Sequence, residues 1–106
     1  MLELSPEDFD ANLQVGTAYL SMADEYRKKL VEEEEKGNEV SEEMRDKLMQ
    51  FYNDAIPFLE KAVEVGEPNP EINVSPALYN NLGVAYINIG EREKGELNFK
   101  KAEEAE

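Results

Sequence analysis

Acidic side chains are the most abundant groups in this sequence that could bind a ligand. Four consecutive glutamates, Glu32 to Glu35, supply carboxylate oxygens of the kind that bind hard cations or basic partners. Consecutive residues point around a helix rather than toward one centre, so the run also fits a solvated helical face. The sequence leaves both interpretations open.

Asparagines form a second group, Asn73, Asn80, Asn81 and Asn88, in the last third of the chain. An amide side chain both donates and accepts hydrogen bonds, which suits it to recognising a peptide backbone. Asn80 is the candidate for such recognition. The alternative is that these residues only flank packed positions.

Histidine and cysteine are both absent from the 106 residues. The chain therefore lacks the usual general base near neutral pH, the commonest metal ligands and any thiol nucleophile. No nucleotide-binding loop, serine elbow or zinc motif occurs either. We expect a protein that is not an enzyme and that holds no metal or cofactor. An enzyme that works with carboxylates alone remains the alternative, and it would need a glutamate of strongly raised pKa in a pocket.

The net charge of -14 comes from 25 acidic and 11 basic residues. Phosphate backbones and anionic lipid surfaces repel such a polyanion, so neither nucleic acid nor a membrane is an expected partner. No apolar run approaches the roughly 20 residues that span a bilayer, and no leader is evident at Met1. The expectation is a cytoplasmic protein with a single domain over residues 1–106, although a piece of a larger protein would give the same pattern.

Apolar residues recur at steps of three and four, which indicates an all-α fold. Ser5-Pro6 predicts a helix start at Pro6, and Gly37-Asn38 predicts its end after about 30 residues. Ser41 predicts the start of a second helix that runs to Gly66. A linker at 67–74 and the start signal Ser75-Pro76 precede two shorter helices, which are separated near Gly90.

One pattern occurs twice in the chain. Val15, Gly16 and Tyr19 recur as Leu82, Gly83 and Tyr86, displaced by 67 residues (83 minus 16). Ala55, Leu59 and Ala62 recur as Gly95, Phe99 and Ala102, displaced by 40 (102 minus 62). The first copy therefore carries 27 additional residues (67 minus 40) between its two halves. This predicts two antiparallel helical hairpins, of which the first (5–66) is elongated into a stalk and the second (75–106) is not.

These residues resemble the tetratricopeptide repeat, a helix-turn-helix unit of 34 residues. The second copy matches the family pattern in residue class at every marked position: Tyr79, Leu82, Gly83, Tyr86, Gly95, Phe99 and Ala102. The first copy matches at Gly16, Tyr19, Ala55, Leu59 and Ala62, and has Asn12 where a bulky residue is usual. The resemblance implies that these residues pack the helices and that small side chains let backbones approach.

Members of that family bind extended peptides or helices in a concave groove lined by the first helix of each repeat. Carried over to this chain, the groove positions are Leu13, Thr17, Leu20, Asn80, Val84 and Ile87. They include no lysine or arginine, so the resemblance does not imply a clamp for a C-terminal carboxylate. The expected function is a scaffold that binds another protein or peptide. A self-associating homodimer is the alternative, since two repeats leave apolar edges.

Overall fold

The computed structural model describes residues 6–105, with side chains from Asp8 onward. The described chain forms four helices and no strand. They are α1 (Pro6–Glu35), α2 (Glu42–Gly66), α3 (Pro76–Asn88) and α4 (Arg92–Glu104). The predicted all-α class is confirmed, as is the arrangement in two hairpins with the first elongated.

The ends of α1 and α2 follow local sequence signals. Helix α1 begins at the predicted Pro6, while the capping residue proposed before it, Ser5, lies outside the described residues. At the other end Gly37 adopts a φ of 87°, and the amides of Gly37 and Asn38 donate to the carbonyls of Glu34 and Glu33. This is a Schellman ending, which needs a residue that tolerates positive φ.

The starts of α2 and α3 differ. The hydroxyl of Ser41 accepts a hydrogen bond of 3.2 Å from the Met44 amide, so Ser41 caps α2 as predicted. Ser75 precedes α3 in the same extended conformation, but its side chain makes no capping bond. Its carbonyl instead accepts from the Leu78 amide at 3.1 Å. The predicted start signal Ser75-Pro76 therefore marks where α3 begins, but the serine side chain does not cap the helix.

Glycine brings the helices of each hairpin close together at equivalent places. A Cβ atom added to Gly16 would lie 2.6 Å from Leu59, and one added to Gly83 would lie 2.6 Å from the ring of Phe99. Real Cβ atoms do not approach so closely, so a side chain at either site would force Leu59, Phe99 or the helix that carries it to shift. Both contacts join the first helix of a hairpin to its second.

The two hairpins are joined through α2 and α3, which pack against each other, while α1 touches α3 at its margin. The main core lies between them and contains the fully buried residues Ala55, Leu59, Ala62 and Leu82. A smaller cluster of Ala23, Tyr52 and Ala85 continues it toward the stalk. Helix α2 therefore lies against both α1 and α3, and α1 and α3 meet only at a margin.

The stalk consists of residues 21–50, the far halves of α1 and α2. At about 1.5 Å per residue α1 is about 45 Å long and α3 about 20 Å, so the first hairpin extends well past the second. The molecule accordingly measures 52 × 25 × 19 Å. No residue from 31 to 51 is buried. The body, which comprises residues 6–20 and 52–105, holds most of the core.

Candidate binding surfaces

The residues assigned to repeat packing lie in or beside the core. Fully or nearly fully buried are Gly16, Ala55, Leu59, Ala62, Tyr79, Leu82, Gly83, Gly95 and Ala102. Tyr19, Tyr86 and Phe99 are half-buried. Tyr19 stacks on Phe58 with ring centroids 5.9 Å apart, which joins α1 to α2. These contacts fix the spacing of the helices that carry the candidate surfaces.

Two tyrosines of α3 lie between α2 and α4 and make the same set of contacts one heptad apart. The hydroxyl of Tyr79 donates to the Glu67 carboxylate at 2.6 Å, and that of Tyr86 donates to Glu60 at 2.7 Å. Lys101 lies over the Tyr79 ring and Lys94 over the Tyr86 ring, with Nζ 6.0 Å and 5.7 Å from the centroids.

Burial, reinforced by the hydrogen bond to Glu67, raises the pKa of Tyr79 to about 12. Burial and the bond to Glu60 raise the pKa of Tyr86 as well. Both phenols therefore keep their protons at neutral pH and act as donors. These polar contacts hold α3 between its neighbours.

The α1 half of the predicted groove is partly taken up by the core. Leu13 and Leu20 are half-buried and pack against the main cluster, while Thr17 between them is exposed. Leu20 also contacts the smaller cluster at the base of the stalk. Of the three α1 positions, Thr17 is the one whose side chain is largely open to a ligand.

The α3 half of the predicted groove is more open. Val84 is 41% exposed and Ile87 42% exposed, and Asn80 is exposed as well. Ile87 leans toward α4, since its Cδ1 atom lies 2.7 Å from where a Cβ on Gly95 would stand. The amide of Asn88 donates to the Val84 carbonyl within α3. Asn80 and Val84, with the exposed part of Ile87, are thus the α3 positions open to another chain.

The acidic run at the end of α1 does not converge on one point. The Glu33 carboxylate pairs with Lys36 at 4.0 Å and accepts a hydrogen bond from the side-chain amide of Asn38 at 2.7 Å. Within the described residues, no three acidic side chains stand close enough together to hold a metal ion. These contacts tie part of the run to the turn that closes α1.

A cavity of about 370 Å³ lies along the stalk part of α1, lined by Arg27, Lys28, Val31, Glu32 and Glu35. Asp24 pairs with Arg27 at 2.8 Å and with Lys28 at 3.3 Å. Hydrogen bonds from these two cations lower the pKa of the Asp24 carboxyl. Since Asp24 already neutralises part of the basic charge, this surface offers little net attraction to an anion.

The outer edge of α1, which faces away from α3, carries an apolar stripe that was not predicted as a surface: Ala11, Val15, Ala18 and Met22. All four are exposed, Val15 by 40% and Met22 by 42%. Beside the stripe is a second cavity of about 210 Å³, lined by Met22, Glu25, Tyr26, Lys29, Lys47 and Phe51. Tyr26 and Phe51 meet edge to face at 5.9 Å, and Lys47 lies 5.2 Å from the Tyr26 centroid.

The repeat displacement contains a signal for this stripe. Adding 67 to its positions gives Leu78, Leu82, Ala85 and Ile89. Those residues form the face of α3 that packs on α2. The same face is therefore covered in the second hairpin and open in the first.

None of the four helices is both long enough and apolar enough to cross a bilayer, as far as residues 6–105 are concerned.

Comparisons with protein-family models, with curated proteins and with solved structures find no match to this chain.

Proposed function

We propose that this chain is a non-catalytic protein-binding module made of two repeats of the tetratricopeptide kind. The supporting observation is the matched pair of close contacts, Gly16 on Leu59 and Gly83 on Phe99. The partners of each pair are related by the displacements of 67 and 40 that relate the sequence repeats. Two hairpins that repeat the same packing place their first helices side by side, which is the arrangement that lines a groove in helical repeats.

The proposed ligand is an extended or helical segment of another protein that lies across α1 and α3. Thr17, Asn80 and Val84 are exposed there and combine polar and apolar contacts. Apolar pockets supply affinity in such modules, while amides fix the register of the bound backbone. The half-buried Leu13 and Leu20 would form the floor beneath the ligand, and Ile87 its margin.

The experiment is a selection of peptides from a phage-displayed library on the purified chain, followed by fluorescence polarisation of the selected peptides. The variant is Thr17→Arg with Val84→Asp, both at exposed positions, so the core stays intact. Leu97→Asp is the control, because Leu97 is 54% exposed on α4, away from both groove helices. Circular dichroism verifies the folding of each variant.

The expected result is at least tenfold weaker binding to the groove variant and unchanged binding to the control. Tenfold corresponds to about 1.4 kcal/mol, which the loss of one apolar contact and the burial of a charge readily exceed. Peptides that bind both variants as tightly as they bind the wild-type chain would place recognition elsewhere and contradict the groove proposal. Failure of the library to yield any binder above background would count against peptide recognition itself.

A further inference from the structure

Charged residues are distributed unevenly around the proposed groove. No lysine or arginine precedes Arg27, and none occurs from residue 62 to residue 91, a stretch that includes the whole of α3. Helix α3 contains no acidic residue either, whereas the part of α1 before Arg27 is acidic and the whole chain carries -14. Within the body, the two groove helices therefore provide no cation that would repel a basic ligand.

Two aspartates lie one heptad before and one heptad after Thr17, on the same face of α1, but only one of them is paired. Asp24 pairs with Arg27 at 2.8 Å and with Lys28 at 3.3 Å. The Asp10 carboxylate is exposed and makes no ion pair or hydrogen bond within the part of the chain that the structure describes. The negative charge of Asp10 is therefore open to a ligand, and that of Asp24 is already balanced.

The unpaired Asp10 lies at the end of the groove where α1 and α3 both begin. A Cβ added to Gly66 would lie 2.6 Å from Val74 and 2.9 Å from Phe9, so the residues beside Asp10 and those before α3 meet at the end of α2. Asp10 follows the first turn of α1, and the helix dipole falls off within that turn, so the free amides offset its charge little. A ligand that lies along both helices thus has one end next to this carboxylate.

Two lysines of α4 contact α3 on a different face. Lys101 lies over the Tyr79 ring and Lys94 over the Tyr86 ring. Both tyrosines belong to the part of α3 that lies between α2 and α4, whereas Val84 is 41% exposed on the groove side. These two positive charges are held on the α4 side of α3 and do not line the groove.

We infer that the ligand of the proposed groove is a basic segment of another protein, a step that rests on the proposed function and names the class of its partner. Apolar side chains of the segment lie over Leu13 and Val84, and a lysine or arginine lies beside Asp10. The apolar contacts supply affinity, while the cation sets the direction of the segment, because Asp10 is unpaired and Asp24 is not. The net charge of the chain also attracts such a segment from a distance.

Paired peptide libraries test the sign of the ligand's charge. Both are phage-displayed random libraries of nine residues, with three positions fixed as lysine in one library and as glutamate in the other. Selection on the purified chain should yield lysine peptides that bind about tenfold more tightly than the best glutamate peptides, as measured by fluorescence polarisation. Glutamate peptides that bind as tightly as the lysine peptides, or more tightly, would overturn the inference.

A matched pair of groove substitutions separates recognition in the groove from general attraction to an acidic protein. Thr17→Glu and Thr17→Lys place side chains of opposite charge at an exposed position one heptad from Asp10. At 0.1 M salt the selected lysine peptides should bind Thr17→Glu about fivefold more tightly than Thr17→Lys, and at 1 M salt, where the Debye length is about 3 Å, the difference should fall below about twofold. Leu97→Glu and Leu97→Lys make the same change at an exposed site on α4, and their affinities should agree within about twofold at either salt concentration.

The two Thr17 variants also distinguish failure of this inference from failure of the proposed function. If both weaken binding equally, the peptide lies in the groove but its charge is not recognised, so the inference is overturned and the groove stands. If neither variant changes binding while the peptides still bind, the ligand lies elsewhere, and the groove and the inference both fail. Circular dichroism verifies that each variant keeps the helix content of the wild-type chain.

Removing the Asp10 charge tests where the cation of the ligand lies. Asp10→Asn should weaken binding of the lysine peptides about threefold, as expected for one exposed ion pair. Glu103→Gln removes one negative charge from an exposed position of α4 and should leave the affinity unchanged. If the two variants bind equally well, the cation does not lie beside Asp10 and the proposed direction of the segment is overturned.

Discussion

The body and the stalk of this protein are both helical, but they are held together in different ways. In the body, Ala55, Leu59 and Leu82 are completely buried between helices of both hairpins. In the outer stalk, residues 31–50 contain no buried side chain. The helical conformation of the outer stalk depends on local features. These are the Schellman ending at Gly37, the cap at Ser41 and pairs of side chains on the same helix.

The comparison shows that the length of a helix and its stability depend on different interactions in this chain. Local signals suffice to continue a helix that tertiary packing has already nucleated, because propagation costs far less than nucleation. The body therefore sets the free energy of global unfolding, and the outer stalk is expected to open locally before the body does. Three sets of variants test this contrast, beginning with the largest expected effect.

Removing a buried side chain should give the largest difference between body and stalk in the free energy of unfolding. Leu59→Ala removes a completely buried residue and should lower the free energy of unfolding by about 2–5 kcal/mol. Leu48→Ala, the matched substitution at a half-buried position of the stalk, should cost less than half as much. Urea denaturation followed by circular dichroism at 222 nm measures both. Equal losses would mean that the stalk is as tightly coupled to global unfolding as the body.

Two glycines with the same backbone conformation allow a sharper comparison. Gly37 and Gly90 both have a φ of 87°, and a Cβ at either site would meet no atom within 4 Å. Alanine at either position therefore costs only the backbone strain, about 1–2 kcal/mol. Gly90→Ala, in the turn between α3 and α4, should lower global stability by that amount. Gly37→Ala should lower global stability less. The stalk end can open locally to relieve the strain, so the loss cannot exceed the free energy of that local opening.

Amide hydrogen exchange distinguishes the two glycine variants by region. Gly37→Ala should speed exchange in residues 31–45 and leave α3 and α4 unchanged. If Gly37→Ala instead speeds exchange throughout the body, the stalk and the body unfold as one cooperative unit.

The smallest effect is expected from the polar contacts that hold the body helices together. Tyr79→Phe removes the hydrogen bond to Glu67 and should cost about 1 kcal/mol at pH 7. The pKa of Tyr79 is raised to about 12 in the folded chain, against about 10 in the unfolded chain. The folded state thus holds the phenolic proton more tightly. The resulting stability is fully present below pH 10 and is lost as pH rises from 10 to 12.

Urea denaturation at pH 7 and at pH 11 measures this contribution. The difference in stability between wild-type protein and Tyr79→Phe should shrink at pH 11, because the Tyr79 phenol of the unfolded chain has then lost its proton while that of the folded chain still holds it. A difference that stays constant between the two pH values would show that Tyr79 is not a source of alkaline sensitivity.

Much of the architecture could be predicted from the residues alone. Gly37, Ser41 and Gly66 mark the helix ends where the structure has them, since capping depends on a few adjacent residues. The displacements of 67 and 40 predicted two hairpins and an elongated first pair, and the fold confirms both. The groove positions, by contrast, were carried over from a resemblance. Their role as a binding surface stays a prediction.

What the sequence by itself determined is the set of helices and their lengths, because caps, turns and apolar spacing act within a few residues of one another. Only the tertiary structure decided which equivalent side chains are covered. Leu82 is completely buried while its counterpart Val15 is 40% exposed, although both are apolar residues beside a helix glycine. Burial depends on which helix lies opposite, and α3 has α2 against it where the edge of α1 is open.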